Sequence, residues 1–283
     1  MTSKKNNLED LKTIRNHILK IATTERANTN KWFFKTGPGE YGEGDKFLGI
    51  TVPQIRKLSK VYRYLGLYLV EKLLKSEFHE ERLLAILILV DKFEKETELK
   101  KKEEIFNFYL KNIKYVNNWD LVDQSASKIV GNFIKEKYSL KSKNRSGVKF
   151  LLSLVKDENI FPDPLHKNLG RGRGGFEKLW EKRVGIVATY SFMQKPFKNE
   201  YSPEIIFEVA GKILNEKDNL NSHDLIQKAV GWMLREYGKR ISEKKLKEFL
   251  DKNFSKIKER RTLLRYAIER FTEKERKGYL NRD

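Results

Sequence analysis

The sequence predicts an all-α protein, built as an α-solenoid of HEAT or armadillo type, on three observations. No proline occurs between Pro53 and Pro162, and that span is rich in Leu, Ile, Lys and Glu, which form helices readily. Apolar residues recur at helical spacing, and no segment shows a sustained strand-type alternation. The connections are mostly short, so successive helices should pack as antiparallel pairs, recurring at roughly 35 to 45 residues. A compact helical bundle is the alternative arrangement.

Taken in order, periodicity places helices at 7–24, 52–63, 66–76, 79–95, 97–114, 118–137, 144–156, 177–194, 203–215, 222–238, 242–253 and 257–271. Between the first helix and Pro53, residues 34–49 form a glycine-rich loop containing Gly37, Gly39, Gly42, Gly44 and Gly49. Helix 79–95 holds the longest strongly apolar run, Leu83 to Val90, which is too short to cross a bilayer. Residues 157–176 contain Pro162 and Pro164, then Gly170, Arg171, Gly172, Arg173, Gly174 and Gly175. This segment reads either as a flexible basic loop able to follow a phosphate backbone or as a solvated surface insertion. It lacks the Gly-Lys-Ser/Thr ending of a P-loop. Helix 203–215 begins with Ser202 as its expected N-cap and Pro203 at its first position. The whole chain, 1–283, reads as one repeat domain, with 157–176 as an inserted basic loop and 241–283 as helices completing the solenoid.

Composition narrows the function classes. The formal charge is +20 over 283 residues, which favours an anionic partner, nucleic acid before an anionic membrane surface. The absence of cysteine excludes disulfides, thiolate chemistry, Fe–S clusters and cysteine zinc sites. His17, His79, His166 and His223 lie far apart in sequence and make no local metal motif, so neither a metal nor a cofactor is expected. Met1 to Leu8 is polar, without a secretory apolar region. A soluble, cytoplasmic protein without a membrane partner is the expectation.

Charged residues inside apolar helix stripes are the sharper clue. Taking Trp119 as zero and about 100° per residue, Asp123 falls near +40°, between Val130 at about +20° and Ile134 at about +60°. An unpaired carboxylate there would be costly to bury. A structural alternative is an interaction with the helix N-terminus, close by. In helix 177–194, Arg183 lies inside the arc formed by Trp180, Val187, Tyr190, Leu179 and Val184. It wants a carboxylate or phosphate partner, Asp123 or a DNA phosphate, unless its head snorkels to water. In helix 222–238, Trp232 sits at the edge of the stripe formed by Ile226, Ala229, Val230, Met233 and Tyr237. It could line a groove or cover an adjacent helix.

These residues resemble a known family. Trp119-Asp120-Leu121-Val122-Asp123, Leu179-Trp180-Glu181-Lys182-Arg183 and Ala229-Val230-Gly231-Trp232-Met233-Leu234-Arg235-Glu236-Tyr237 are similar to segments of the HEAT-like-repeat DNA alkylation repair proteins, the AlkD-type glycosylases. Phe47-Leu48-Gly49-Ile50-Thr51-Val52-Pro53-Gln54-Ile55-Arg56 and Glu80-Glu81-Arg82-Leu83-Leu84-Ala85 also resemble that family. The likeness runs in order over roughly residues 30–240; no single motif is diagnostic. It implies a right-handed solenoid whose basic concave groove holds duplex DNA, and excision of cationic N3-alkyladenine and N7-alkylguanine without extruding the damaged base. It implies that Asp123 is the catalytic aspartate, Arg183 the active-site arginine, and Trp119 and Trp232 the groove tryptophans. Arg171 and Arg173 are expected to touch DNA. A monomer acting on double-stranded DNA containing alkylated bases follows. A non-catalytic DNA-binding solenoid is the alternative, and a protein-binding HEAT scaffold a third reading.

Overall fold

The computed structural model describes residues 2–138, 145–156, 176–194, 202–216 and 218–282. The helices in chain order are α1 (Thr2–Ile21), α2 (Thr24–Phe33), α3 (Val52–Val61), α4 (Leu67–Leu74), α5 (His79–Lys95), α6 (Leu99–Lys111), α7 (Trp119–Ser125), α8 (Asn132–Lys137), α9 (Ser146–Val155), α10 (Phe176–Ala188), α11 (Ile205–Asn215), α12 (Asp224–Arg240), α13 (Glu243–Lys252), α14 (Phe254–Ile257), α15 (Arg261–Ala267) and α16 (Glu273–Leu280). Among the described residues there is no strand, only an isolated parallel bridge between Lys46 and Phe78. No described helix is long and apolar enough to cross a membrane. The chain divides into two compact units, one of Met1–Thr97 with Asn112–Ser125 and one of Glu98–Lys111 with Ala126–Asp283.

The first unit is organised around α5, on which α3, α4 and α7 pack. Every residue from Leu83 to Val90 is buried, because α5 has neighbours on several sides. The Thr23 side chain accepts from Arg26 N and caps α2. A Thr51–Gln54 capping box opens α3, with Pro53 in its first turn. The glycine-rich loop has one rigid point. Gly49 has φ +89°, and a Cβ there would stand 1.9 Å from the Thr23 carbonyl oxygen and 2.7 Å from Ala27 N. Only glycine fits such a close backbone approach at that φ. The buried Glu80 carboxylate fastens the same loop, accepting from the backbone N–H groups of Leu48 (2.9 Å), Gly49 (2.9 Å) and Ile50 (3.3 Å) and from Asn30 Nδ2 (3.3 Å).

In the second unit α9 packs on α10 and α11, α10 on α12, and α12 on α13 and α15. A Cβ at Gly231 would stand 2.5 Å from the Leu263 carbonyl oxygen, so α12 and α15 approach closely there. Lys182 is fully buried on α10 and is satisfied by Asp218 (2.7 Å), the Val155 carbonyl (2.7 Å) and Asn221 Oδ1 (3.3 Å).

Several expected elements differ. The span 118–137 is not one α-helix: α7 ends at Ser125, Ala126–Gly131 is π-helical, and α8 follows. Thr189–Met193 turns to 3-10 geometry after α10. α11 begins at Ile205, not Pro203; Glu204 occupies the cap position and the Ser202 hydroxyl donates to its carboxylate (2.8 Å) instead of capping a helix N–H. The expected helix 257–271 is replaced by α14 and α15, interrupted at Arg260 with φ −112° and ψ 65°. α2 and α16 were not expected from periodicity. Residues 157–175, with Arg171 and Arg173, lie outside the described residues.

Candidate functional site

The residues with the most chemistry gather at the start of α7. Trp119 is half-buried and packs on Ala27, Phe34 and Phe47. Its ring stacks on Phe34, with centroids 5.5 Å apart, and meets Phe33 edge-on at 5.9 Å. Asp123 lies one turn further and is also half-buried. Beside it, the exposed Arg56 of α3 donates through Nη2 to Gln124 Oε1 at 2.7 Å. This unit therefore carries an aromatic face, a carboxylate and a cation on or against one short helix.

Behind that face is a buried ionic network that spacing alone did not reveal. Asp45 accepts from Arg82 Nη2 (2.6 Å), Asn118 Nδ2 (3.3 Å) and His79 Nδ1 (3.4 Å). His79 Nε2 donates to Asp120 Oδ2 (2.9 Å), and Asp120 Oδ1 accepts from Leu121 N (2.8 Å). The imidazole stacks near Phe47 at 4.8 Å and lies 4.7 Å from the Phe34 ring at a tilt. Burial works against charge on His79, but the adjacent Asp120 and Asp45 carboxylates outweigh it and raise its pKa to about 9. Burial works the other way on Asp45, and His79, Arg82 and Asn118 together hold its carboxyl below the usual range. His79 is thus an imidazolium at neutral pH, between two carboxylates.

Two further aromatics of this unit, Trp32 and Phe33, break no local helical pattern in the sequence. Trp32 is 82% exposed and Phe33 53% exposed at the end of α2. Lys31 and Lys35 flank them and line the same cleft as Asn28, Trp32 and Phe33. The signal available in the sequence was the Lys31-Trp32-Phe33-Phe34-Lys35 run itself, basic residues around aromatic ones.

The second unit holds the other expected site residues. Arg183 is buried on α10 and donates through Nη1 to the Leu225 carbonyl at 2.7 Å, at the start of α12. Trp232, on α12, is half-buried with its ring 6.4 Å from that of Tyr190. The Arg240 guanidinium lies over the other aromatic of that pair, 5.0 Å from the Tyr190 centroid. Among the described residues no cluster of His, Asp or Glu is arranged to hold a metal ion.

A search of curated proteins and one of solved structures find no match. A family model described as DNA alkylation repair enzyme matches residues 14–161 and 176–271, a span that includes α7, α10 and α12. With nearly the whole sequence matched, this chain belongs to the DNA alkylation repair enzyme family.

Proposed function

We propose that the protein is a monofunctional DNA glycosylase that hydrolyses the N-glycosidic bond of cationic alkylated purines, N3-alkyladenine and N7-alkylguanine, in duplex DNA. The observation that carries this reading is the placement of Asp123 beside Trp119 on α7: half-buried, on a helix fastened from behind by buried ion pairs, in a chain of charge +20. The finer fold reading, a right-handed HEAT-like solenoid with a basic concave groove, belongs to this proposal. Family membership and the packing of α9 on α11 and of α10 on α12 support it.

A purine alkylated at N3 or N7 is already a good leaving group, so departure needs little acid assistance. The sugar gains oxocarbenium character as the bond breaks, and a fixed carboxylate stabilises that charge. Asp123 supplies it and orients the attacking water. The face of Trp119 packs on the deoxyribose and favours a cationic centre. Arg183 and Trp232, in the second unit, serve as further DNA contacts in this proposal. No resident metal or cofactor enters this scheme. Incubation of methylated duplex DNA with the protein, with released bases quantified, tests it. Folded, DNA-binding protein that releases nothing above the spontaneous rate would leave a non-catalytic DNA-binding solenoid.

Trp32 and Phe33 extend the same reading to binding. A tryptophan this exposed between two lysines suits stacking on a base or sugar while the ammonium groups meet phosphates. Trp32→Ala should weaken duplex affinity by about 1 to 2 kcal/mol, or roughly tenfold, in fluorescence anisotropy at fixed salt. Its unfolding midpoint should not move, because the side chain is outside the core. Unchanged affinity would place DNA elsewhere.

A further inference from the structure

We propose that His79 is a positioning residue for excision: its imidazolium clamps the start of α7, through Asp120, to the Asp45 loop and so fixes the orientation in which Trp119 and Asp123 meet the substrate. This inference rests on the glycosylase reading for its effect on rate, but the clamp itself is a property of the first unit.

Helix α7 is only seven residues long and is followed at once by π-helical geometry, so its own hydrogen bonds hold its direction poorly. Three contacts outside the helix do so instead. His79 Nε2 donates to Asp120 at 2.9 Å, Asn118 Nδ2 donates to Asp45 at 3.3 Å, and the Trp119 ring packs on Phe34. The first two meet at one centre, because His79 and Asn118 both bind Asp45 Oδ2. Phe34 closes the circuit, since it touches both the imidazole and the Trp119 ring. Asp120 and Asp123 lie about 60° apart around the helix, so rotation that follows loss of the Asp120 contact carries Asp123 with it. A shift of about 1 Å at a reacting group can cost about a hundredfold in rate.

A neutral apolar core would fill this space without the cost of burying four charged groups. The groups facing His79 are Asp120 from α7, Asp45 from the loop before α3, and Arg82 from α5 itself. Glu80 and Glu81, its neighbours on α5, are turned to the 48–50 backbone and to Arg15. The clamp depends on charge: neutral imidazole has one N–H and satisfies one carboxylate, whereas imidazolium satisfies both.

The test uses the full chain with His79→Gln, Asp120→Asn and the double variant. Single-turnover base release at saturating enzyme, duplex affinity and amide exchange of residues 119–125 are measured on each. We expect His79→Gln to release base at least about tenfold more slowly, with duplex affinity within about twofold. The double variant should be no slower than the slower single, because both act through one hydrogen bond. Amides of α7 should exchange faster while those of α4 do not.

The pH profile separates positioning from mere stability. The ordinary histidine value is 6.5, and here it is raised to about 9. The folded protein therefore keeps its imidazolium until the pH passes about 9, and wild-type release should decline above that. The ratio of His79→Gln to wild-type rate removes any titration of the lesion itself, and should rise toward one in the same range. A folded His79→Gln protein with undiminished release and unchanged α7 exchange overturns the proposal. So does a slow variant whose loss multiplies with that of Asp120→Asn. If His79→Gln fails to fold, Asp120→Asn alone carries the same rate and exchange outcomes. If the wild type itself releases no base, the glycosylase reading fails, and α7 exchange alone decides the clamp.

Discussion

Replacing Asp123 by asparagine should slow base release by about a hundredfold to a thousandfold while leaving duplex affinity within about a factor of two. The substitution keeps shape and removes only the charge. An ion pair at about 4 Å with an effective dielectric near 20 is worth about 4 kcal/mol, or about a thousandfold if it is realised only in the transition state. Asp123 is half-buried and not sealed, so the lower end of that range is the firm expectation. The ground state gains little from this carboxylate, because DNA brings its own negative charge to the site. Affinity should therefore hold or improve slightly as the anion is removed. Single-turnover release and equilibrium binding on the same protein separate the two effects. A rate equal to wild type would assign the chemistry to another group. An equal loss in rate and in affinity would mean that Asp123 shapes the site and does not act on the sugar.

The residues named from the sequence were those whose type conflicts with a local pattern. Arg183 falls inside an apolar arc and is indeed buried; Trp232 falls at a stripe's edge and is half-buried. A wheel of 100° per residue holds from Trp119 to Ser125, but the π-helical Ala126–Gly131 turns less per residue, so the angles given to Val130 and Ile134 do not apply. α2 was missed because its buried positions are Ala27 and Asn30, one small and one polar, which leave no apolar stripe to detect. α16 buries nothing and has none either. The ionic network was beyond reach for another reason. His79, Glu80, Glu81 and Arg82 stand together on α5, but their partners Asp45, Asp120, Leu48 and Arg15 lie 32 to 66 positions away. Spacing within a helix carries no information about such pairs; only the fold brings them together.

Glu80→Ala should be the most destabilising of these changes, at about 4 kcal/mol. The carboxylate is buried and accepts from three consecutive backbone N–H groups and from Asn30. Hydrogen bonds to a charged acceptor contribute about 1.5–3 kcal/mol each, and four sharing one acceptor do not add fully. Alanine leaves those donors in a space that cannot rearrange: Gly49 already has φ +89° and lies against Thr23 and Ala27. The loop can only lift away, and it would take with it the Thr23 N to Gly49 carbonyl bond (3.1 Å) at the start of α2. That helix carries Trp32 and Phe33, so the damage should reach the proposed DNA face. Glu80→Gln should cost about half as much, since its remaining oxygen still accepts while its amide meets the Leu48 N–H, donor against donor. Urea unfolding of the three proteins measures the order. Adding Gly49→Ala to Glu80→Ala should cost less than the sum of the single effects, because both release the same loop. A Glu80→Ala protein within about 1 kcal/mol of wild type would mean that water takes over the four donors and that the loop is held by its apolar contacts alone.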